Sequence, residues 1–180
     1  MRESFDAVIF DCDGVLVDSE ALGVVAEMAL LADWGLSYDR AEFIRRFVGS
    51  PDTDFIAALD ADSRARLGRP LPDDFLETIS HARHAAWGGR LEEVPGAGRA
   101  VEAVDLAKAV ASSSRMHLLR HKLSQTGLIG HFDPHIYSTE QVARGKPAPD
   151  VFLHAAEQLG AAPGRCLVIE DSLNGVRAGL

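Results

Sequence analysis

The sequence predicts an α/β protein built on a doubly wound, mostly parallel sheet, with an all-helical unit inserted after the first strand. Short apolar runs alternate with stretches of helical periodicity, which is typical of parallel β-α-β units. The apolar runs are continuous rather than alternating, as expected for strands that are buried on both faces. A long block with no strand pattern separates the first apolar run from the second, and this block predicts the insertion.

Composition restricts the kinds of partner. The chain has 180 residues, of which 47% are apolar, and its 27 acidic and 18 basic residues give a formal net charge of −9. This charge argues against nucleic acid and anionic membranes as partners. Two cysteines form no disulfide framework, and neither a signal peptide nor a membrane-spanning stretch is visible. We therefore expect a cytoplasmic protein. We also expect a monomer or a weak dimer.

The first strand and the inserted helices come from the first half of the chain. Residues 7–10 form a short apolar run that predicts a buried strand. Apolar residues then recur at helical spacing, which predicts helices over 21–32, 40–47, 52–59 and 72–87, with a break at Gly49-Ser50-Pro51. Residues 61–69 are charged and show little apolar pattern, so no element is predicted there. The inserted unit is expected to span residues 18–93.

The second half of the chain alternates between strands and helices. Strands are predicted at 107–111, 136–138 and 166–169, and helices at 99–104, 116–125, 149–159 and from 174 to the last residue. Together with residues 1–17, the segment 94–180 is expected to form the sheet-containing core.

Polar residues cluster where the predicted strands end. Asp11 and Asp13 follow the first strand, Ser112 the second and Glu170-Asp171 the last, while Lys146 lies in the loop beyond the third. Ligands of open parallel sheets bind at the carboxyl ends of the strands. This shared placement predicts a functional site at that edge.

The spacing of Asp11 and Asp13 points to a cation. If the backbone stays extended, both carboxylates project to the same side, where they repel each other unless a positive charge lies nearby. A hard divalent cation such as Mg²⁺ takes oxygen ligands and fits this need. Cys12 lies between them, but no histidine is near in sequence to activate a thiolate, so a cysteine nucleophile is disfavoured.

Four motifs, in this order, resemble those of the haloacid dehalogenase-like phosphatases. They are Asp11-Cys12-Asp13-Gly14 after a strand, Ser112 after an apolar strand, Gly145-Lys146-Pro147-Ala148-Pro149, and Glu170-Asp171. The resemblance covers essentially the whole chain. It implies a Rossmann-like core with a helical cap, similar to the subgroup that contains phosphoglycolate phosphatase, sugar-phosphate phosphatases and β-phosphoglucomutase.

The resemblance also implies a role for each site residue. Asp11 is expected to be the nucleophile that forms an aspartyl-phosphate, and Asp13 the general acid and base. Ser112, Ser113 and Lys146 are expected to bind phosphate. Mg²⁺ is expected on Asp11, Asp13, Glu170 and Asp171, with Asp13 using its backbone carbonyl and Glu170 binding directly or through water. The cap residues expected to face the substrate are Ser19, Glu20, Arg45, Arg46 and Gly49-Ser50-Pro51.

The expected function is therefore Mg²⁺-dependent hydrolysis of a small phosphorylated metabolite, such as a sugar phosphate. Two alternatives stay open, a phosphomutase of the β-phosphoglucomutase type and a phosphate-binding protein that has lost catalysis. The mutase is disfavoured because Gly23 and the 50–52 region replace the histidine and the arginine of that type. Members of the family usually continue past the fourth motif, so either the sequence is truncated at Leu180 or one edge of the sheet is missing.

Overall fold

A computed structural model describes residues 5–48, 50, 52–88 and 91–180 of the chain. The strands and helices follow in this order: β1 (Ala7–Phe10), α1 (Glu20–Trp34), α2 (Arg40–Phe47), α3 (Asp52–Leu67), α4 (Phe75–Trp87), α5 (Ala97–Glu102), β2 (Ala107–Ser112), α6 (Met116–Gln125), β3 (Ile136–Ser138), α7 (Asp150–Gln158), β4 (Cys166–Ile169) and α8 (Leu173–Gly179). Short 3-10 helices occur at Ile129–His131, Thr139–Gln141 and Pro163–Arg165. The α/β class predicted from the sequence is confirmed.

The chain divides into two compact units. One comprises the described parts of Met1–Asp18 and Leu91–Leu180, and the other the described part of Ser19–Arg90. These bounds lie one to three residues from the predicted limits of 17/18 and 93/94. The difference has a backbone cause, because Asp18 N–H donates to the Glu92 carbonyl at 3.0 Å and Val94 N–H to the Leu16 carbonyl at 2.9 Å. Residues 91–94 therefore pair with the end of the first loop and belong to the sheet unit.

The sheet contains four parallel strands in the order β3-β2-β1-β4. Phe10 is paired with Val110 on one side and with Ile169 on the other. Since the strands are parallel and in this register, the residues that follow them leave the sheet at one edge. The sequence predicted this convergence from the strand ends alone.

Alternation along the strands gives the sheet two faces. On one face, Ile9, Ala109 and Tyr137 pack in a cluster with residues of α7 and α8. On the other, Val8, Phe10 and Val110 are also buried, and the Phe10 ring meets the Phe132 ring edge-on with centroids 5.6 Å apart. Strands β1 and β3 and the last four residues of β2 are thus buried on both faces, as their continuous apolar sequence predicts.

Strand β4 departs from that prediction. By the register, Leu167 and Ile169 share a face with Val8 and Phe10, yet they are 38% and 36% exposed. Nearby in the chain, Leu173 and Val176 of α8 are 65% and 43% exposed. An apolar run therefore did not imply burial on both faces here, although the other end strand, β3, is fully buried.

Helices α1 to α4 form the second unit around a core of their own. Its buried members are Val24, Leu31, Leu36, Phe43, Phe47, Phe55, Leu59, Leu71, Phe75 and Ile79. Helices α1 and α4 pack against each other most extensively. Helix α1 ends at Trp34 and is capped by Gly35. The φ of Gly35, 107°, is readily adopted only by glycine, and its N–H donates to the Leu31 and Ala32 carbonyls.

Helix α3 is longer than predicted. It continues through residues 61–67, where no element was expected, and ends at Leu67. Polar contacts replace the missing apolar pattern, because the buried Ser63 hydroxyl accepts from Trp34 Nε1 at 3.3 Å and donates to the Arg69 carbonyl at 2.8 Å. Arg64 also pairs with Asp60 one turn earlier at 2.6 Å. Periodicity of apolar residues does not detect a helix held in this way.

Of the residues of this unit that were expected to face the substrate, one is paired inside the unit and several are not described by the structure. The Arg46 guanidinium is engaged inside the unit, where it donates to Glu42 at 3.1 Å and to Asp62 at 2.8 Å. It also lies over the Phe47 ring, 4.7 Å from the centroid. Gly49, Pro51 and the side chain of Glu20 lie outside the part of the chain that the structure describes.

In the described segments, none of the helices combines the length and the apolar character that crossing a membrane requires.

A pair of neighbouring valines tests the packing of the helical unit. Val24 is 5% exposed and lies in its core, whereas Val25 is 61% exposed. We expect Val24→Ala to lower the free energy of unfolding by about 2 kcal/mol, because it leaves a cavity. Val25→Ala should change it by less than about 0.5 kcal/mol. Urea unfolding of both variants measures this, and equal losses would contradict the assigned core.

Candidate active site at the carboxyl edge of the sheet

A tight loop carries the first two site residues out of β1. Asp11 N–H donates to the Ile169 carbonyl at 2.9 Å, which prolongs the pairing of β1 and β4 by one residue. The chain then turns, because the N–H groups of Leu16 and Val17 both donate to the Cys12 carbonyl at 2.9 Å. The Asp11 side chain is thereby buried at the sheet edge, with 6% of the residue exposed.

Lys146 joins two of the predicted site carboxylates. Its Nζ donates to Asp11 Oδ1 at 2.5 Å and to Glu170 Oε2 at 2.6 Å, and its side chain is only 4% exposed. The ammonium group also lies 4.7 Å from the centroid of the Phe152 ring. Lys146 is thus a buried cation between the strand ends, not an exposed surface lysine.

Glu170 is held on both of its oxygens. While Oε2 accepts from Lys146, Oε1 accepts from the Ser172 hydroxyl at 2.8 Å and from the Ser172 N–H at 3.0 Å. Burial by itself favours the neutral acid, but these hydrogen bonds hold the pKa of Glu170 below its ordinary value. The carboxylate is therefore ionised and fixed.

Asp171 approaches the first loop closely. A Cβ atom at position 14 would lie 2.0 Å from Asp171 Oδ2, and Gly14 has a φ of 78°. Only glycine meets both requirements, the positive φ and the lack of a side chain. The same absence of a side chain at Gly175 leaves room for Glu170, since a Cβ there would lie 1.8 Å from Glu170 Oε2.

Carboxylate oxygens of Asp11, Glu170 and Asp171 all lie within 4.8 Å of one another and could hold a metal ion. Such a set of hard oxygen donors fits Mg²⁺. Burial, partly offset by Lys146 and reinforced by the nearby Glu170, raises the pKa of Asp11 to about 7. Burial also raises the pKa of Asp171. A cation at this place would favour the ionised carboxylates, which burial first and the neighbouring acidic groups second disfavour.

Asp13 points its carboxylate toward another pair of residues. Lys122 Nζ donates to Asp13 Oδ1 at 2.5 Å, and the Ser114 hydroxyl donates to Asp13 Oδ2 at 2.8 Å. The side chain of Asp13 is 25% exposed, whereas that of Lys122 is 4% exposed. The two aspartates of the first motif thus each have a buried lysine.

A turn at the end of β2 contains Ser112, the last residue of the strand, and the two serines that follow it. Ser112 is 1% exposed, and its hydroxyl oxygen accepts from the Ser114 N–H at 3.0 Å. Ser113 is exposed, and its carbonyl accepts from the Thr139 hydroxyl at 3.4 Å. The start of α6 is capped instead by Glu140, whose carboxylate accepts from the Met116 N–H at 2.8 Å.

Ser114 and Lys122 were missed from the sequence. Ser114 is one of three consecutive serines and carries no distinguishing signal. Lys122 had one, because it lies three residues after Leu119 and one before Leu123, on the apolar side of a predicted helix. A lysine at such a core position is rare unless it is paired.

Comparison with known proteins agrees with these motifs. A family model of haloacid dehalogenase-like hydrolases matches residues 5–180. The chain is 27% identical to 6-phosphogluconate phosphatase of Escherichia coli over 97% of this chain and 78% of the relative. It is 29% identical to a fructose-1-phosphate phosphatase of the same organism, over 99% of this chain and 93% of that relative. The crystal structure of a family hydrolase from Deinococcus radiodurans, with bound phosphate and sodium, shares 38% identity and a TM-score of 0.80, covering 98% of this chain and 77% of that chain.

Substituting Lys146 tests the electrostatics of the site. Lys146→Met leaves the buried Asp11 and Glu170 without their cation, and we expect metal-free protein to lose about 3 kcal/mol at pH 8. The loss should be smaller at pH 5.5. Since the pKa of folded Asp11 lies near 7, above its ordinary 3.8, the folded state binds more protons and stability falls as pH rises between them. Removing Lys146 extends that fall above pH 7.

Urea unfolding at both pH values measures this effect. Arg144→Met is the control, because Arg144 is exposed and pairs with Asp150 at the surface; it should change stability by less than about 0.5 kcal/mol. A Lys146→Met deficit that does not grow with pH would contradict the assignment.

Proposed function

The chain belongs to the family of haloacid dehalogenase-like hydrolases, and from this premise we propose that it hydrolyses small phosphate monoesters of the sugar-phosphate class through an aspartyl-phosphate. The observation that carries the proposal is the buried Asp11 carboxylate at the end of β1, whose Oδ1 accepts a hydrogen bond from Lys146 Nζ at 2.5 Å. Both curated relatives named above act on phosphorylated sugars or sugar acids by their names. These names support the substrate class.

Asp11 is the proposed nucleophile. Its backbone is fixed by the hydrogen bond to Ile169 and its Oδ1 by Lys146, which leaves Oδ2 to attack phosphorus. Attack by a carboxylate forms a mixed anhydride and releases the alcohol, so that a second step with water can regenerate the enzyme. Lys146 offsets the charge of the entering phosphate as well as that of Asp11.

Asp13 is the proposed general acid and base. In the first step it would protonate the leaving alkoxide, and in the second it would take a proton from the attacking water. Its partial exposure allows contact with both. A sugar alkoxide is a poor leaving group, so this proton transfer should matter more for sugar phosphates than for aryl phosphates.

Phosphate oxygens are proposed to bind at Ser112, Ser113 and Lys146. Ser112 and Ser113 belong to the turn at the end of β2, whose neighbour in the sheet is β1. The turn can offer hydroxyl groups and N–H groups to an anion. The hydrolase from Deinococcus radiodurans was solved with phosphate, which supports anion binding in this family.

Mg²⁺ is the proposed cofactor, with Asp11, Asp13, Glu170 and Asp171 as its site. Among these, the side chains of Asp11, Glu170 and Asp171 already bring their oxygens together. When bound, Mg²⁺ would neutralise phosphate charge and weaken its repulsion with the Asp11 carboxylate. Lys146 holds Asp11 and Glu170 in place, and Gly14 and Gly175 leave the room that Asp171 and Glu170 occupy.

A panel of phosphorylated metabolites tests the function. We expect release of inorganic phosphate from sugar phosphates in the presence of Mg²⁺, and loss of turnover after exhaustive chelation. The reason is that Asp11, Glu170 and Asp171 otherwise form an acidic cluster that Lys146 alone neutralises only in part and that repels phosphate. No phosphate release from any ester would favour the phosphate-binding alternative. Transfer of phosphate between positions of one sugar, without release, would favour the mutase.

Two isosteric variants separate the two aspartates. Asp11→Asn should abolish phosphoenzyme formation, because the amide cannot act as the nucleophile. Asp13→Asn should slow hydrolysis of a sugar phosphate by roughly 10²–10⁴-fold, the usual contribution of a general acid or base. With an aryl phosphate, its first step should survive and a phosphoaspartate should accumulate.

Acid-quenched labelling of both variants with an aryl phosphate measures these outcomes. Labelling of Asp11→Asn at the wild-type level would exclude Asp11 as the nucleophile. Equal losses for aryl and sugar substrates in Asp13→Asn would exclude the acid–base role.

A further inference from the structure

Lys122 is a buried lysine that none of the four motifs includes. It lies on α6 between Leu119 and Leu123, which are fully buried, and is itself only 3% exposed. A lysine in such a place loses hydration and needs a compensating anion. The position therefore calls for a specific partner, and the partner is the proposed general acid and base.

The contacts of Lys122 fix both oxygens of Asp13. Lys122 Nζ donates to Asp13 Oδ1 at 2.5 Å and to the Ser114 hydroxyl oxygen at 2.9 Å. An ammonium group can only donate, so Ser114 accepts from Lys122 and directs its own proton to Asp13 Oδ2, 2.8 Å away. The three groups form a closed ring of hydrogen bonds whose direction is determined by Lys122.

We propose that Lys122 is a positioning residue that, through Ser114 and by its direct bond, sets the orientation of the Asp13 carboxylate for proton transfer. This inference rests on the proposed role of Asp13. A carboxylate anchored at one oxygen can still swing about its side-chain torsions, whereas one anchored at both cannot. Proton transfer needs this precision, since a misplacement of about 1 Å can cost roughly 100-fold in rate.

The two buried lysines bind different carboxylates, which supports this assignment. Lys146 donates to Asp11 and Glu170, on the side of the oxygen cluster, whereas Lys122 donates to Asp13 and Ser114. The chain thus carries one buried cation for the nucleophile and another for the proton-transfer group. Lys122 comes from a helix, α6, whose Leu119 and Leu123 anchor it in the core.

The test compares leaving groups in Lys122→Met, which keeps the aliphatic stem but removes the charge. We expect kcat for a sugar phosphate to fall about 10–100-fold with little change in KM, because positioning of a proton donor acts in the transition state. The burst of phenol from an aryl phosphate should change less than about threefold, since an aryl leaving group needs little protonation. Ser114→Ala removes one arm of the ring and should give the same pattern, more weakly.

Arg120→Met is the matched control on the same helix. Arg120 is exposed and pairs with Asp133 at 3.0 Å, away from the ring, so its removal should leave both substrates unaffected. The double variant Asp13→Asn/Lys122→Met adds a stricter condition. If Lys122 acts through Asp13, the double variant should be no slower than Asp13→Asn alone. The inference would be overturned if the rate loss of the double variant equalled the product of the two single losses. It would also be overturned if Lys122→Met slowed aryl and sugar substrates equally.

Crystal structures of the wild type and Lys122→Met provide a readout that does not depend on activity. We expect the Asp13 carboxylate to turn away from Ser114 or to occupy more than one rotamer in the variant. An unchanged, single Asp13 conformation would overturn the positioning role even if the variant is slow. Failure of the proposed function is distinguishable, because it would show as an inactive wild type or as an Asp13→Asn variant without leaving-group selectivity.

Discussion

Repulsion among four carboxylates at one edge of the sheet is the constraint on which the site depends. Asp11, Asp13, Glu170 and Asp171 follow neighbouring strands, and parallel pairing of β1 with β4 brings them together. Two buried lysines offset part of this charge, Lys146 from a loop and Lys122 from a helix. Two lysines do not balance four carboxylates, and burial, opposed by Lys146 and reinforced by Glu170 and Asp13, raises the pKa of Asp11 to about 7. The remaining imbalance is what a divalent cation is suited to remove.

Backbone features rather than long side chains bring the acidic loops into contact. Gly14 allows the turn after β1 and leaves space for Asp171, while Gly175 leaves space for Glu170. The hydrogen bond from Asp11 N–H to the Ile169 carbonyl connects the two loops at their starting points. These backbone contacts therefore determine where the carboxylates lie, and a change in any of them would displace the carboxylates.

Much of the fold could be predicted because its strands are short, apolar and bounded by polar clusters. The four strands lie where the sequence placed them, and parallel order then made the clusters converge. The end of α3 could not be predicted from apolar spacing, since Ser63 and Arg64 hold it through hydrogen bonds. The exposed side of β4 was also missed, because its apolar residues carry no sign that one face of the strand is left uncovered.

The site could be predicted only in part from the sequence, for a similar reason. Asp11, Lys146, Glu170 and Asp171 belong to local strings with recognisable spacing. Lys122 instead reaches Asp13 across 109 positions of the chain. The only sequence signal for Lys122 is its position between two core leucines. That pattern indicates that the lysine is buried but does not identify its partner. Contacts of this kind depend on how α6 is oriented against the sheet, which only the folded structure determines.

The burial of Lys146, Glu170 and Lys122 also bears on conformational entropy. Lysine and glutamate side chains each lose about 1.5–2 kcal/mol of rotamer freedom when they are fixed. In this chain the three side chains are already immobilised, with 3–4% of each exposed. Folding has therefore borne that ordering cost, and a ligand arriving at the edge of the sheet would meet groups that need little further ordering. Replacing buried ion pairs by apolar side chains of similar volume is often neutral or stabilising, so the ordering of this site brings little gain in stability to the fold.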